Sequence, residues 1–331
     1  MMGMDDIVLS VIVPVYNAER YLGDCLESLT GQSCPAMEIV VVDDGSTDSS
    51  GAICDGFVMR DSRVRVFHRV NGGVSRARNF GLDNARGELV AFVDADDSVS
   101  PDYADMIIGA MPGRDMVCFQ SEWISLSGDR TCHMLPVMDS GVDGYVADAI
   151  MAVRGCNDDG ANLLGFPWNK VFRRDIIERY GIRFNPLLRY KEDEVFVLEY
   201  LKHVSSIKII PQILYNYRLL GNGLTSGMKR LGSKDWRELW QSADRARGRH
   251  TSTGRCGDSV TYDVLNWMFM EAYCLFKEGG DWSKVMKAMC RYHDSLRPGE
   301  VKGQEKVKLS LKYRNRCLWR LFFAALRMRK Y

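Results

Sequence analysis

Residues 89–97 read LVAFVDADD, a run of five apolar residues followed by three aspartates around one alanine. An apolar run of this length, rich in β-branched and aromatic side chains, predicts a buried β-strand. Neighbouring carboxylates repel one another unless a cation or hydrogen-bond donors offset them, so the aspartates indicate a site for Mg²⁺ or Mn²⁺ shared with substrate phosphates. The alternative is a turn that caps the next helix. The segment alone leaves both interpretations open.

Three earlier segments also have the pattern of buried strands. Residues 9–15, 38–42 and 64–67 are apolar runs of strand length, and a helical repeat at 22–29 lies between the first two. The alternation predicts an α/β fold with a Rossmann-like, mainly parallel sheet and flanking helices. Ligands bind at the carboxyl ends of the strands in such sheets. The polar residues that follow strands 9–15, 38–42 and 89–93 are therefore expected to line one crevice.

The remainder of the chain has a weaker pattern. Glycines, aspartates and isolated aromatic residues dominate from about 112 to 160, where we expect irregular structure. Beyond about residue 230 the chain is expected to be helical. A length of 331 residues suits one large domain with a smaller one appended.

Composition restricts the partners and the compartment. A net charge of +1 gives no basis for a nucleic-acid partner. Ten cysteines without a CxxC pair favour a reducing compartment. The first residues lack the basic and apolar regions of a secretory signal, and no apolar run reaches the roughly 18 residues of a membrane span. We expect the active site to face the cytosol.

Other enzyme classes lack their motifs in this chain. The strand at 9–15 is not followed by the Gly-Xaa-Gly-Xaa-Xaa-Gly of dinucleotide-dependent oxidoreductases, and no Walker A loop is present. The five histidines have no HExxH or other zinc spacing, and no serine nucleophile elbow occurs.

Four motifs in order point to one family. They are VPVYN at 13–17, VVDDGS at 41–46, NGGVSRARN at 71–79 and DADD at 94–97. Together they resemble glycosyltransferase family 2 over roughly residues 8–225. The resemblance implies a GT-A type fold in a catalytic domain at 1–225, with a nucleotide-binding half at about 8–110 and an acceptor half at about 111–225. Residues 226–331 are expected to form a helical C-terminal region.

The resemblance also implies roles for single residues. Asp43 corresponds to the acid that reads uracil, Asp94 lies beside the ribose, and Asp96 coordinates Mn²⁺ or Mg²⁺ between the two phosphates. The residues assigned to the nucleotide-sugar in the motifs are Pro14, Tyr16, Asp43, Asn71, Arg78 and Asp94. For Asp43 the competing interpretation is a tight turn between strand and helix.

A second acidic segment supplies the expected base. The Glu192-Asp193 pair resembles the second acidic motif of the family, and we assign Asp193 as the general base of an inverting displacement. A cluster of acids at a helix N-terminus is the competing explanation. Lys170 and Arg218 are expected to assist on the phosphate side, and the alternative for each is a solvated surface cation.

The last 24 residues are basic and rich in apolar side chains. From residue 308 to 331 there are eight Lys or Arg residues and no acid, interleaved with apolar residues. This pattern predicts an amphipathic helix on the inner face of an anionic membrane, or else a helix docked on the catalytic domain. The tail would suit a lipid-linked acceptor.

Without a Gln-Xaa-Xaa-Arg-Trp motif or membrane spans, we expect transfer of one sugar per encounter. The resemblance implies that the donor is a UDP-hexose or UDP-N-acetylhexosamine, and that the acceptor is a glycan of capsular, exopolysaccharide or other surface polysaccharide synthesis. A catalytically silent member, which binds nucleotide as a scaffold at the membrane surface, is the alternative.

Overall fold

The structure is a computed structural model that describes residues 7–135, 137–140, 165–220, 231–247 and 257–294. The tail at 308–331, and with it the predicted amphipathic helix, lies outside the described residues. Within these ranges the chain forms one mixed sheet flanked by helices, followed by further helices.

The amino-terminal half of the sheet is parallel, in the order β3-β2-β1-β4. Its strands are β1 (Leu9–Val15), β2 (Met37–Asp43), β3 (Val64–His68) and β4 (Leu89–Phe92). The helices between them are α1 (Leu22–Thr30), α2 (Ser50–Val58) and α3 (Val74–Asn84). Every residue of β1, β2 and β4 is buried, because helices cover both faces of a parallel sheet. The four predicted strands and the α/β architecture are confirmed.

The second half of the sheet is mixed, in the order β4-β9-β6-β10-β5. Its strands are β5 (Ser98–Val99), β6 (Met116–Ile124), β7 (Arg130–His133), β8 (Met138–Ser140), β9 (Lys170–Arg173) and β10 (Ile207–Arg218). The helices are α4 (Tyr103–Ala110), α5 (Arg174–Arg179) and α6 (Glu192–Leu201). Strand β9 runs antiparallel to both β4 and β6, whereas β10 is parallel to β6.

The expectation of irregular structure from about 112 to 160 is wrong for β6, β7 and β8. The sequence pattern did not predict strand β6, because polar residues lie in its centre. Gln120 is fully buried there and donates to the carbonyl oxygens of Leu135 (3.1 Å) and Ile210 (2.9 Å). Because these bonds replace the water that Gln120 loses, a polar residue occupies a core strand and interrupts its apolar pattern.

The chain divides into two compact units. One comprises Met1–Pro186 with Glu192–Gly223, and the other comprises Leu187–Lys191 with Leu224–Tyr331. The second unit contains the helices α7 (Ser233–Arg247), α8 (Gly257–Glu278) and α9 (Trp282–Asp294). Its buried acid Glu271 accepts hydrogen bonds from Arg237 and from the indole of Trp240, both at 2.7 Å. The described part of the region beyond residue 230 is therefore helical, as predicted.

No helix in the described ranges has both the length and the apolar character that crossing a membrane requires. The cysteines in these ranges are all free thiols.

Candidate functional site

The aspartates after β4 are connected to β10 by one tyrosine. The hydroxyl of Tyr215 donates to Asp97 Oδ2 (2.8 Å) and accepts the backbone N–H of Asp94 (3.1 Å). Asp97 is fully buried, and its Oδ1 accepts the backbone N–H of Arg218 (2.7 Å). Burial first, and then the charges of Asp94 and Asp96, raise the pKa of Asp97 well above its usual value. Asp97 therefore holds residues 94–97, which we call the acidic loop, against β10.

Arg78 joins the acidic loop to the second acidic motif, the Glu192-Asp193 pair. Its buried guanidinium, on α3, donates to Asp94 Oδ1 (2.9 Å) and to Glu192 Oε1 (3.1 Å). Burial alone would lower the pKa of Arg78, but Asp94, Glu192 and Asp193 outweigh it and raise the pKa, so the side chain stays charged. A residue predicted to lie near the nucleotide thus also holds the end of β4 beside the start of α6.

Asp96 is the acid whose carboxylate is left open. It is partly exposed, and within the described ranges its side chain has no hydrogen bond or ion pair to another residue. Burial, followed by the charge of Asp94, raises the pKa of Asp96 to about 6. A carboxylate that is crowded by like charge and makes no hydrogen bond within the described ranges is stabilised by a cation.

The surroundings of Asp96 determine how such a cation would be bound. In the part of the chain that the structure describes, no three His, Cys, Asp or Glu side chains are grouped to hold a metal. Mg²⁺ sites commonly use one or two carboxylates and complete their octahedron with substrate phosphates and water. The residues therefore fit a metal that arrives with a diphosphate and do not form a closed protein site.

Asp193 lies in the first turn of α6, where its Oδ1 accepts the backbone N–H of Glu194 (2.7 Å). The side chain is partly exposed. Burial and then the charge of Glu192 raise the pKa of Asp193 to about 7, although Arg78 opposes the shift. A carboxyl group with a pKa near neutrality suits proton abstraction at physiological pH. The hydrogen bond to Glu194 also fits the helix N-terminal interpretation, and the two are compatible.

Asp43, at the end of β2, is held by two donors. Its Oδ1 accepts the N–H of Ser46 (3.0 Å), and its Oδ2 is 2.8 Å from His68 Nδ1. The other ring nitrogen of His68 is 3.1 Å from Asp55 Oδ1. Burial raises the pKa of Asp43, but the hydrogen bonds from Ser46 and His68 outweigh burial and lower it. Asp43 is therefore ionised and oriented, and the turn interpretation is part of what orients it.

The neighbouring Asp44 binds the backbone of the third motif, NGGVSRARN at 71–79. Its carboxylate accepts the backbone N–H groups of Gly72 (3.0 Å) and Gly73 (2.7 Å). A side chain at Gly45 would place its Cβ 2.7 Å from the backbone nitrogen of Asn71, so the close approach requires glycine there. Asn71 itself is exposed. The sequence had shown Asp44 beside Asp43 without indicating this separate role.

The other residues predicted at β1 lie at the same edge of the sheet. Pro14 is buried within β1 opposite Val42 of β2, and Tyr16, just after the strand, is 53% exposed. Val15 pairs with Asp43 and Asp43 with His68. The strand ends therefore bring the first two motifs together, as expected from a parallel sheet.

The two predicted cations differ in their surroundings. Arg218 donates to Asp24 Oδ2 (2.8 Å) and lies 4.9 Å from the ring centre of Tyr21. Lys170 is fully buried, and its ammonium donates to the Phe166 carbonyl and to Asn169 Oδ1, both at 2.6 Å. Burial lowers the pKa of Lys170 to about 8. The surface-cation interpretation is wrong for Lys170, and as placed it offers no exposed surface to a phosphate.

The model of the family described as glycosyl transferase family 2 matches residues 10–181. The chain belongs to this family. It is 31% identical over 329 residues to the uncharacterized glycosyltransferase EpsJ of Bacillus subtilis (strain 168), covering 96% of this chain and 94% of the relative. As a member of glycosyltransferase family 2, it is an enzyme that takes its sugar from a nucleotide-sugar donor.

Solved structures share the GT-A fold. S. aureus TarS in complex with UDP-GlcNAc matches with a TM-score of 0.66 at 20% identity, over 86% of this chain and 81% of that chain. The mannosyltransferase PcManGT from Pyrobaculum calidifontis, in complex with GDP-Man and Mn²⁺, matches with a TM-score of 0.54 at 16% identity, over 96% of this chain and 84% of that chain. Likeness at this level of identity establishes the fold alone.

Proposed function

We propose that this family 2 glycosyltransferase moves a single sugar from a UDP-hexose or UDP-N-acetylhexosamine to an acceptor hydroxyl, with inversion at the anomeric carbon. The observation that carries the proposal is the position of Arg78, which contacts Asp94 of the first acidic motif and Glu192 beside Asp193. One buried guanidinium thus ties the segment expected to hold the donor to the segment expected to hold the base.

On the donor side, Asp43 accepts the imide N–H of uracil, a bond for which an ionised carboxylate is suited. Pro14, Tyr16 and Asn71 surround the base and ribose, and Asp94 lies beside the ribose. The complex of the structurally similar TarS with UDP-GlcNAc supports a uridine nucleotide.

Asp96 is the residue that would hold Mn²⁺ or Mg²⁺. The bound cation supplies Lewis acidity that stabilises the charge of the departing diphosphate. Arg218, whose guanidinium is held by Asp24, supplies a fixed positive charge on the diphosphate side. We assign Lys170 to positioning of the segment at 166–169, since its ammonium is occupied there.

On the acceptor side, Asp193 takes the proton of the attacking hydroxyl. The acceptor oxygen forms its bond to the anomeric carbon as the bond to the nucleoside diphosphate breaks, so that a single displacement inverts the configuration. Glu192 raises and Arg78 lowers the proton affinity of Asp193 at the start of α6.

We further propose a glycan acceptor, lipid-linked and destined for a capsular, exopolysaccharide or other surface polysaccharide, at the inner face of the cell membrane. The support is the basic and apolar sequence of residues 308–331, whose attraction to anionic lipid would hold the enzyme at the cytoplasmic surface. Membrane contact is testable by flotation with vesicles of anionic or neutral lipid.

The test of the reaction is release of nucleoside diphosphate from a panel of UDP-, GDP- and dTDP-sugars, with Mn²⁺ or with EDTA. We expect metal-dependent release from one UDP-sugar and loss of release in Asp96→Asn. Asp105→Asn, an exposed acid on α4, is the matched control and should behave as wild type. Metal-dependent UDP binding without release from any donor would favour the silent scaffold and overturn the enzymatic proposal.

A further inference from the structure

A stack of aromatic rings leads away from the acidic loop. Trp168 stacks on Tyr215 with ring centroids 4.5 Å apart, and Phe166 (5.0 Å) and Tyr217 (5.4 Å) stack on Trp168. Trp123 continues the series, 5.0 Å from Tyr217. The rings come from β6, from the segment before β9 and from β10, so three parts of the chain fix one surface.

The inner and outer rings differ in exposure. Trp168 is 2% exposed and Tyr215 is fully buried, whereas Trp123, Phe166 and Tyr217 are each partly exposed. We call these three residues the aromatic platform. Because their rings rest on a buried floor, they lose little conformational freedom when a ligand binds them.

The platform begins at the reaction centre. Tyr215 contacts Asp97 and the backbone of Asp94, and Tyr217 follows two residues later, on the same face of β10. Burial and then the nearby acids, among them Asp97 and Asp193, raise the pKa of Tyr217. The phenol hydroxyl of Tyr217 makes no hydrogen bond within the part of the chain that the structure describes.

We propose that the aromatic platform binds a pyranose ring of the acceptor, so that the acceptor ends in a cyclic, uncharged sugar. The proposal rests on the proposed function. A pyranose presents an apolar C–H face to aromatic rings and hydroxyl groups to polar neighbours such as Tyr217. Asp94 and Asp193 act on Tyr217 electrostatically, and their negative charge opposes an anionic acceptor such as a polyol phosphate chain.

The test measures how added acceptors accelerate UDP release by the Mn²⁺-loaded enzyme from the donor that the panel selects. The probes are methyl β-pyranosides of glucose, galactose and N-acetylglucosamine, with ribitol phosphate and glycerol phosphate as acyclic anionic competitors. We expect at least one pyranoside to accelerate release. Trp123→Ala should raise the KM for it by about 5- to 10-fold, the size of one aromatic contact, and leave the KM for the donor unchanged.

Two variants control for loss of structure. Trp123→Phe keeps an aromatic ring, so its KM for the acceptor should be close to that of the wild type. Tyr180→Ala removes an aromatic side chain that is 49% exposed on another helix end and should leave both KM values as in wild type. Acceleration by the polyol phosphates alone, or an unchanged acceptor KM in Trp123→Ala, would overturn the proposal.

Binding without turnover separates this proposal from the proposed function. Saturation-transfer NMR from the protein's aromatic protons to the methyl pyranosides needs no reaction. Transfer to the sugar ring protons that is lost in Trp123→Ala supports the platform even if no donor is cleaved. Absence of transfer in wild type overturns the platform while leaving metal-dependent UDP release untouched.

Discussion

Asp193 is placed between opposing electrostatic effects. Partial burial and Glu192 disfavour its ionised form, while Arg78 favours it, and the result is a pKa of about 7. Since Arg78 also pairs with Asp94, the charge that tunes the proposed base is the one that holds the first acidic motif. A change at Arg78 is therefore expected to affect both halves of the reaction.

The base assignment predicts a pH dependence. Asp193 must be ionised to accept a proton, so kcat/KM should rise with pH through about 7. Asp193→Asn should lower kcat by about 10²- to 10⁴-fold, the usual contribution of a general base. Steady-state rates across pH test both. Asp175→Asn, which alters an exposed acid in an i,i+4 pair, is the control, and a flat profile in wild type would contradict the assignment.

His68 lies between two carboxylates, and its geometry favours the imidazolium. A neutral ring can donate from only one nitrogen, but both nitrogens face carboxylate oxygens, of Asp43 on β2 and Asp55 on α2. The hydrogen bonds to Asp43 first and Asp55 second raise the pKa of His68. The charged ring thereby holds the acid expected to read uracil.

This arrangement predicts a stability that depends on pH. Because the pKa is higher in the folded than in the unfolded state, the stabilisation is complete below about pH 6.5 and is lost as pH rises through the folded-state pKa. Since the side chain is 47% exposed and solvent screens it, we expect about 0.5 kcal/mol. Urea unfolding of wild type and His68→Asn should differ more at about pH 6 than at about pH 9. An equal difference at both would refute the charged ring, and Asp55→Asn should show part of the effect.

At the scale of elements, α3 is the helix that carries Arg78 to the site. One turn after Arg78, Gly81 lets the helix approach β1 so closely that a Cβ there would lie 2.4 Å from Ile12 Cγ2. The side chain of Ile12 is fully buried and has no room to move away. The absence of a side chain at Gly81 thus sets the distance between α3 and the sheet.

Gly81→Ala should destabilise the fold by about 1–3 kcal/mol, the usual cost of overpacking. Adding Ile12→Ala, which removes the opposing Cγ2, should relieve the overlap, so that the combined loss is smaller than the sum of the two single losses. Gly56→Ala in α2 is the matched control, because its added methyl would meet nothing within 4 Å, and it should be neutral or slightly stabilising. Chemical unfolding measures the free energy of unfolding of each variant. Equal stabilities of Gly81→Ala and Gly56→Ala would contradict the close packing of α3.

At the scale of the whole molecule, the open carboxylate of Asp96 predicts that nucleotide and metal bind together. UDP with Mn²⁺ at about 100 times its Kd should stabilise the protein by about 2.7 kcal/mol, since a ligand at free concentration L that binds only the folded state raises the free energy of unfolding by RT ln(1 + L/Kd). Calorimetry should show the rise in Tm, and EDTA or Asp96→Asn should remove most of it. ADP carries the same phosphates on a different base, so an equal shift with ADP would contradict base reading by Asp43.

Much of the parallel half of the sheet followed from the sequence. Strands buried on both faces must be apolar throughout, so β1, β2 and β4 stand out as continuous runs. Strand β6 did not stand out, because Gln120 is buried in it and donates hydrogen bonds to the carbonyl oxygens of Leu135 and Ile210, partners that only the folded chain reveals. The same holds for Lys170, whose burial depends on partners that a pattern of residue types does not reveal.

The sequence by itself determined the family, the α/β sheet and the ends of strands at which the acids gather, since these depend on local periodicity and on motifs a few residues long. Only the tertiary structure decided that Arg78 joins Asp94 to Glu192, that Tyr215 ties the acidic loop to β10, and that aromatic rings from three elements form one surface. Each of these is a contact between residues far apart in the chain. Their geometry depends on how helices and strands pack, and short sequence patterns carry no information about that packing.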